Sequence, residues 1–203
     1  IETSAVEVVV GAPPDLAAII PRCPQLRWVQ STWAGIDAIA HFASETLQIT
    51  PLKGVFGPAM TEYVMGWLLA IERDVISRAS HTQWTPSLEP RITGKRLGIM
   101  GAGGIGAAIA LAAKPFGLEV IGLNSDGRAV EGFAACYPSA DRLVFAEGID
   151  YLVSVLPQTA QTENLIDHEV LTRLNPRAIV INAGRGNAVV EADLIASLNE
   201  GHL

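Results

Sequence analysis

Arg96-Leu-Gly-Ile-Met-Gly-Ala-Gly-Gly-Ile-Gly-Ala-Ala-Ile-Ala110 carries a short apolar run straight into a cluster of glycines and then into an alanine-rich stretch. It reads as strand, tight turn and helix. Gly101 permits the turn, Gly103 lets the backbone approach a pyrophosphate closely, and Gly106 removes a side chain where helix meets sheet. A helix N-terminus carries unpaired N–H groups and a partial positive charge, so the same place suits a dinucleotide. A G-x-G-x-x-G match is weak by itself, and the flanking strand and helix are the context it requires.

Three further apolar runs follow, Leu118–Leu123, Tyr151–Val155 and Ala178–Asn182. Each is short and nearly continuous, as strands covered on both faces are, which implies a doubly wound parallel sheet of the Rossmann kind in an α/β fold. Ligands in such sheets gather at the carboxyl ends of the strands. Here those ends are Gly101–Gly106, Asn124–Arg128, Leu156–Thr159 and Ala183–Gly186, all polar or glycine-rich.

Upstream, Val6–Val10, Leu26–Gln30 and Leu47–Thr50 read as strands, with helices expected over Asp15–Ile20 and Ile36–Phe42. A smaller α/β unit therefore precedes the glycine turn. Pro58 opens a helical pattern running to about Ser80, in which Tyr63, Trp67, Leu68, Ile71, Val75 and Ile76 share one face. Thr85–Gly94 is rich in proline and polar residues and reads as an extended linker.

The 203 residues are 49% hydrophobic and 17% charged, enough for a substantial core. A net charge of −7 with scattered basic residues disfavours nucleic acid or an anionic membrane as partner. The longest apolar stretch, Val64–Ile71, is far short of the roughly 20 residues needed to span a bilayer. Cys23 and Cys136 stand apart without a C-x-x-C or His/Cys cluster, which argues against a metal site and fits reduced thiols in the cytoplasm. Ile1 is not an initiator, and Gly201-His-Leu203 lies just past an apparent helix cap, so the chain reads as part of a longer one.

Asn124 stands 23 residues beyond Gly101, close to where a ribose-binding acid is expected, and no acid is there. Asn124 and Ser125 leave room for a 2′-phosphate, and Arg128 offers it charge-assisted hydrogen bonds of about 1.5–3 kcal/mol each, which favours NADP. In the alternative arrangement Asp126 turns inward to hold an NAD ribose while Arg128 faces solvent. Arg185 sits between Gly184 and Gly186 at the end of an apolar strand, where a guanidinium can grip a carboxylate or polarise a carbonyl. Ala34-Gly35 follows a strand and begins a helix, a weaker anion site. None of His41, His81, His168 and His202 occupies a persuasive place for a proton donor. Trp33, Phe56 and Trp84 are readable either as pocket walls or as core.

Ala34-Gly-Ile-Asp37, Gly54-Val-Phe-Gly-Pro58, Thr61-Glu-Tyr-Val64, the glycine motif, Ser154-Val-Leu-Pro-Gln-Thr159 with Thr162, Asn182-Ala-Gly-Arg-Gly186 and Glu191-Ala-Asp-Leu194 together resemble the D-isomer-specific 2-hydroxyacid dehydrogenases, most of all their glyoxylate/hydroxypyruvate reductase branch. The resemblance implies a flavodoxin-like substrate domain over residues 1–57, incomplete here, and a dinucleotide domain over residues 58–203. It also implies that Ala34 and Gly35 hold a substrate carboxylate and that Arg185 binds carboxylate and keto oxygen. Gly103, Gly104 and Ile105 would face the pyrophosphate, and Asn124, Ser125 and Arg128 the adenosine phosphate. Leu156, Pro157 and Thr162 would line the outer edge of the NADP or NAD, with Ala183 and Gly184 beside its nicotinamide. The substrate implied is a small 2-keto or 2-hydroxy acid, and the long helix after Pro58 implies a homodimer. The family's acid and its proton-donating histidine are expected beyond Leu203. A redox-sensing module without turnover, or a formate or phosphoglycerate dehydrogenase, are the competing expectations.

Overall fold

The computed structural model describes residues 3–84, 86, 88 and 90–203, so Thr85, Ser87 and Glu89 of the expected linker lie outside the described residues. The chain divides into two compact units, Ile1–Phe56 and Gly57–Leu203.

The first unit is a three-stranded parallel sheet with its strands in sequence order, β1 (Val8–Gly11), β2 (Trp28–Ser31) and β3 (Gln48–Thr50). One helix, α1 (Pro13–Ile19), joins β1 to β2. It starts two residues before the expected Asp15, because proline is tolerated in a first turn, where its missing N–H has no acceptor anyway. Leu16, Ile20, Val29 and Ile39 form the core of this unit. The helix expected over Ile36–Phe42 is absent. Turns lead instead into a single 3₁₀ turn, Ala40–Phe42, with no side-chain cap, as a segment too short to nucleate a helix would do.

The second unit opens with α2 (Gly57–Glu72) and α3 (Val75–Arg78). These are two helices where one was expected to about Ser80. Asp74 takes a left-handed conformation, φ 49°, that stops the helix, a conformation Asp adopts more easily than most residues. The buried face of α2 also differs from the expected one. Val64, Met65 and Leu68 are buried, whereas Tyr63, Trp67 and Ile71 are exposed and of the expected stripe only Leu68 points inward.

The five-stranded parallel sheet comprises β4 (Arg96–Met100), β5 (Glu119–Asn124), β6 (Ala135–Pro138), β7 (Tyr151–Ser154) and β8 (Ile179–Asn182), in the spatial order β6-β5-β4-β7-β8. Helix α4 (Gly104–Ala113) joins β4 to β5, and α5 (Arg142–Ala146), α6 (His168–Leu171) and α7 (Glu191–Asn199) follow. One face of the sheet buries Leu97, Ile99, Tyr151 and Val153 with Val64, Leu68, Ile109 and Ala113 from α2 and α4. The other buries Met100, Ile121, Leu123 and Leu152 with Phe145, Val170 and Leu171. Alternate residues of β4 serve the two cores, so the sheet is doubly wound. No helix among the described residues is long and apolar enough to cross a membrane.

Candidate functional site

The end of β4 is held from both sides. The amides of Gly101 and Ala102 both donate to the Leu123 carbonyl at 2.9 Å, and the Val155 amide donates to the Met100 carbonyl at 2.9 Å. Gly101 turns at φ +105°, which L side chains rarely adopt, and a Cβ there would lie 3.1 Å from the Val155 oxygen. At Gly106 a Cβ would run into the Gly101 carbonyl, so α4 can start against β4 because that atom is missing.

Gly103 caps α4 with extended backbone and contributes no side chain to its first amides. A Cβ on Gly103 or Gly104 would meet nothing within 4 Å. The start of this ten-residue helix has no side-chain cap, and its unpaired amides suit an anion such as a pyrophosphate.

Beside it, Asn124 ends β5 and shapes the following loop from within. Its Oδ1 accepts from the Gly127 amide at 2.6 Å and the Asp126 amide at 3.3 Å, while its Nδ2 donates to the Arg128 carbonyl at 2.8 Å. At the tip of the loop the two charged side chains meet each other. Arg128 Nη1 donates to Asp126 Oδ1 at 3.0 Å, and Ser125 is exposed.

On the other side of β4, the turn after β7 is pinned by Thr162. Its hydroxyl lies 2.6 Å from the Pro157 carbonyl and accepts from the Thr159 amide at 3.0 Å. Leu156 is buried and Pro157 exposed. The next turn along the sheet carries Arg185, half-buried, on a loop tied back to the end of β8. Asn182 Oδ1 accepts from the Gly184 amide at 3.1 Å, and Asn182 Nδ2 donates to the Arg185 carbonyl at 3.0 Å. The Ala183 amide donates to the Ser154 carbonyl at 2.9 Å.

Gly101, Gly103, Gly104, Ile105, Gly106, Asn124, Ser125, Arg128, Leu156, Pro157, Thr162, Ala183, Gly184 and Arg185 thus all follow or close the carboxyl ends of strands of one sheet. Sequence reasoning missed Asp126 as the partner of Arg128 and Asn182 as the fastener of the Arg185 turn. A short polar side chain in a strand-end turn, two or three residues before the group it steadies, is the signal available for both.

Ala34 and Gly35 belong to the first unit. They lie in a loop shaped by buried Ser31, whose hydroxyl accepts from the Trp33 amide at 2.9 Å. No helix begins at Gly35, contrary to expectation, so no helix N-terminus offers its amides to an anion there. Trp33 and Trp84 are exposed and form no part of a core. Among the histidines, His41, His81 and His168 are exposed, and a ring nitrogen of His202 lies 3.1 Å from the Leu171 carbonyl.

Residues 66–203 match the NAD binding domain of the D-isomer specific 2-hydroxyacid dehydrogenases. The chain belongs to that family. It is 30% identical over 197 residues to glyoxylate/hydroxypyruvate reductase A HPR2 of Arabidopsis thaliana, an alignment covering 92% of this chain and 61% of the relative. A D-isomer specific 2-hydroxyacid dehydrogenase family protein from Aeromonas salmonicida superposes with a TM-score of 0.87 at 33% identity, over 98% of this chain and 65% of that one. An NADPH-dependent glyoxylate/hydroxypyruvate reductase from Sinorhizobium meliloti, solved with NADP and sulfate, gives 0.84 at 27% identity, over 100% and 66%. The chain therefore spans about three fifths of the length of the curated relatives it matches. The glycine turn and its neighbours are part of the NAD binding domain of that family.

Proposed function

We propose that the whole protein is a reductase that takes hydride from NADPH, or less readily NADH, to C2 of a small 2-keto acid of the glyoxylate or hydroxypyruvate type, and a proton from a general acid to its keto oxygen, giving the D-2-hydroxy acid. The observation that carries this reading is the Asn182-fastened turn, which holds a half-buried Arg185 at the same sheet end as the open glycine turn. When bound, the nicotinamide supplies the hydride. Gly103, Gly104 and Ile105 receive the pyrophosphate, Asn124, Ser125 and Arg128 the adenosine end, and Leu156, Pro157 and Thr162 the outer edge. The Thr162 hydroxyl is already engaged within its turn, so it acts by shaping that edge.

Ala183 and Gly184 flank the nicotinamide. The Arg185 guanidinium, with donors in a fixed fork, binds the substrate carboxylate and meets the charge that builds on the keto oxygen. In the same reading residues 1–57 are a substrate domain, in which Ala34 and Gly35 offer amides to a carboxylate, and residues 58–203 are a dinucleotide domain. The exposed stripe Tyr63, Trp67 and Ile71 on α2 is the face on which we place a homodimer contact. A cytoplasmic location belongs to the same reading and is supported by two free thiols, Cys23 and Cys136.

The test is reduction of glyoxylate and hydroxypyruvate by the full-length protein, followed by NADPH absorbance, with Arg185→Ala beside it. A preorganised donor to a developing oxyanion contributes roughly 10²- to 10³-fold, so a loss below about tenfold removes Arg185 from the role. NADPH binding without turnover in the full-length protein would favour a redox-sensing module instead.

A further inference from the structure

The loop after β5 is hydrogen-bonded along its backbone and polar at its tip. The Asn124 amide group bonds three backbone groups of the loop, and the Ser139 hydroxyl donates to the Asn124 carbonyl at 3.1 Å. Gly127 turns at φ +74° where a Cβ would press on Pro138, so the bend is built in. Swinging the Asn124 side chain outward to meet a ribose would break its three bonds to the loop backbone. Discrimination at the adenosine end is left to the charged pair at the tip. Asp126 Oδ1 accepts from the Arg128 amide at 3.3 Å and from Arg128 Nη1 at 3.0 Å, with both side chains more than half exposed, at 57% and 59%.

We propose that Asp126 sets the discrimination between NADP and NAD by holding the Arg128 guanidinium in an ion pair that a 2′-phosphate must displace. The inference rests on the dinucleotide reading given above. A 2′-phosphate carries close to two negative charges at neutral pH and can take a guanidinium with two donors, so it competes well against one carboxylate. It also meets the repulsion of the carboxylate it displaces. A 2′-hydroxyl does neither. Because exposed ion pairs hold weakly, the pair grades the preference and does not block the site. Asp126 therefore lowers affinity for the phosphorylated cofactor and is indifferent to the unphosphorylated one. A ribose-binding acid would do the opposite.

The experiment measures dissociation constants of NADPH, NADH and 2′,5′-ADP for the full-length protein and for Asp126→Asn, Arg128→Met and the double variant, by isothermal titration calorimetry. Asp126→Asn is expected to tighten NADPH and 2′,5′-ADP by about three- to tenfold and to leave NADH within about twofold. Arg128→Met is expected to weaken both phosphorylated ligands by about tenfold, and the double variant to show no gain from the loss of Asp126. An unchanged ratio of NADPH to NADH affinity in Asp126→Asn overturns the proposal, and so does a gain that survives in the double variant. Weakened NADH binding in Asp126→Asn overturns it as well, and marks Asp126 as a ribose ligand. If the wild-type protein binds none of the three ligands, the dinucleotide reading itself fails.

Discussion

A Cβ on Gly184 would stand 2.6 Å from the carbonyl oxygen of Leu156, closer than real side chains come to backbone. The turns after β7 and β8 are therefore pressed together, and the position of Arg185 depends on that contact. Gly184→Ala is expected to destabilise the protein by about 1–3 kcal/mol through overpacking. At about 2–4 °C per kcal/mol for a chain of this size, thermal denaturation should read the change directly. Gly186→Ala is the control, since nothing lies within 4 Å of a Cβ there, and it should leave the midpoint nearly unchanged. Equal shifts in the two variants would show that the turns are not coupled by contact.

Gly106 and Gly103 separate packing from ligand clearance. A Cβ at Gly106 strikes the Gly101 carbonyl, so Gly106→Ala should lower the denaturation midpoint even without cofactor. Gly103 has open space and φ −99°, so Gly103→Ala should fold as well as wild type yet lose most of its stabilisation by NADPH. Saturating ligand at 100 times its dissociation constant stabilises by about 2.7 kcal/mol, which a thermal-shift assay resolves. Full NADPH stabilisation of Gly103→Ala would remove the pyrophosphate from that turn.

At the opposite end of β7, Tyr151 is 1% exposed and its hydroxyl finds no partner at hydrogen-bond geometry. Burial pushes its phenol well above the ordinary tyrosine range, and the carboxylate of Glu72 adds to the shift, with Asp150 behind it. The folded state therefore keeps the proton that the unfolded state releases near pH 10. Below that pH the contribution is complete. Above it, stability falls by up to about 1.4 kcal/mol per pH unit. Urea denaturation from pH 9 to pH 11 should show a downward slope that Tyr151→Phe flattens, and parallel slopes would assign the alkaline loss elsewhere.

The exposed stripe on α2 makes a separate prediction. Tyr63, Trp67 and Ile71 are 49%, 44% and 48% exposed. Trp67→Asp places a charge in the middle of the proposed dimer face and should yield a monomer by sedimentation equilibrium with its thermal denaturation still cooperative. A dimer of unchanged affinity would move the interface off this helix.

The parts legible in the sequence are those in which burial on both faces leaves no choice of residue. β5 and β7 are continuous apolar runs between polar turns, and their ends mark the site. β6 was not legible, because Ala135-Cys-Tyr-Pro138 is an edge strand, partly buried, with no alternation to read. The inward face of α2 was ambiguous for a different reason. Two apolar stripes run side by side on it and share Leu68, so periodicity finds an apolar face without saying which one the sheet covers. At the site, the glycine turn was legible from its spacing together with the apolar strand and alanine-rich helix that flank it. The Asp126–Arg128 pair was not, since spacing places two charges near each other without saying whether they meet.

The central position of β4 has a consequence for how the protein is made. Its two neighbours are β5, some twenty residues on, and β7, whose Tyr151 pairs with Leu97. The Arg96 amide likewise waits for the carboxylate of Asp150, 54 residues later. A ribosome adding about 5–20 residues per second delivers that second flank only after several seconds. Until then the nascent glycine bend has one neighbour and an uncovered flank, so the turn is completed only after the segment around Asp150 has been made.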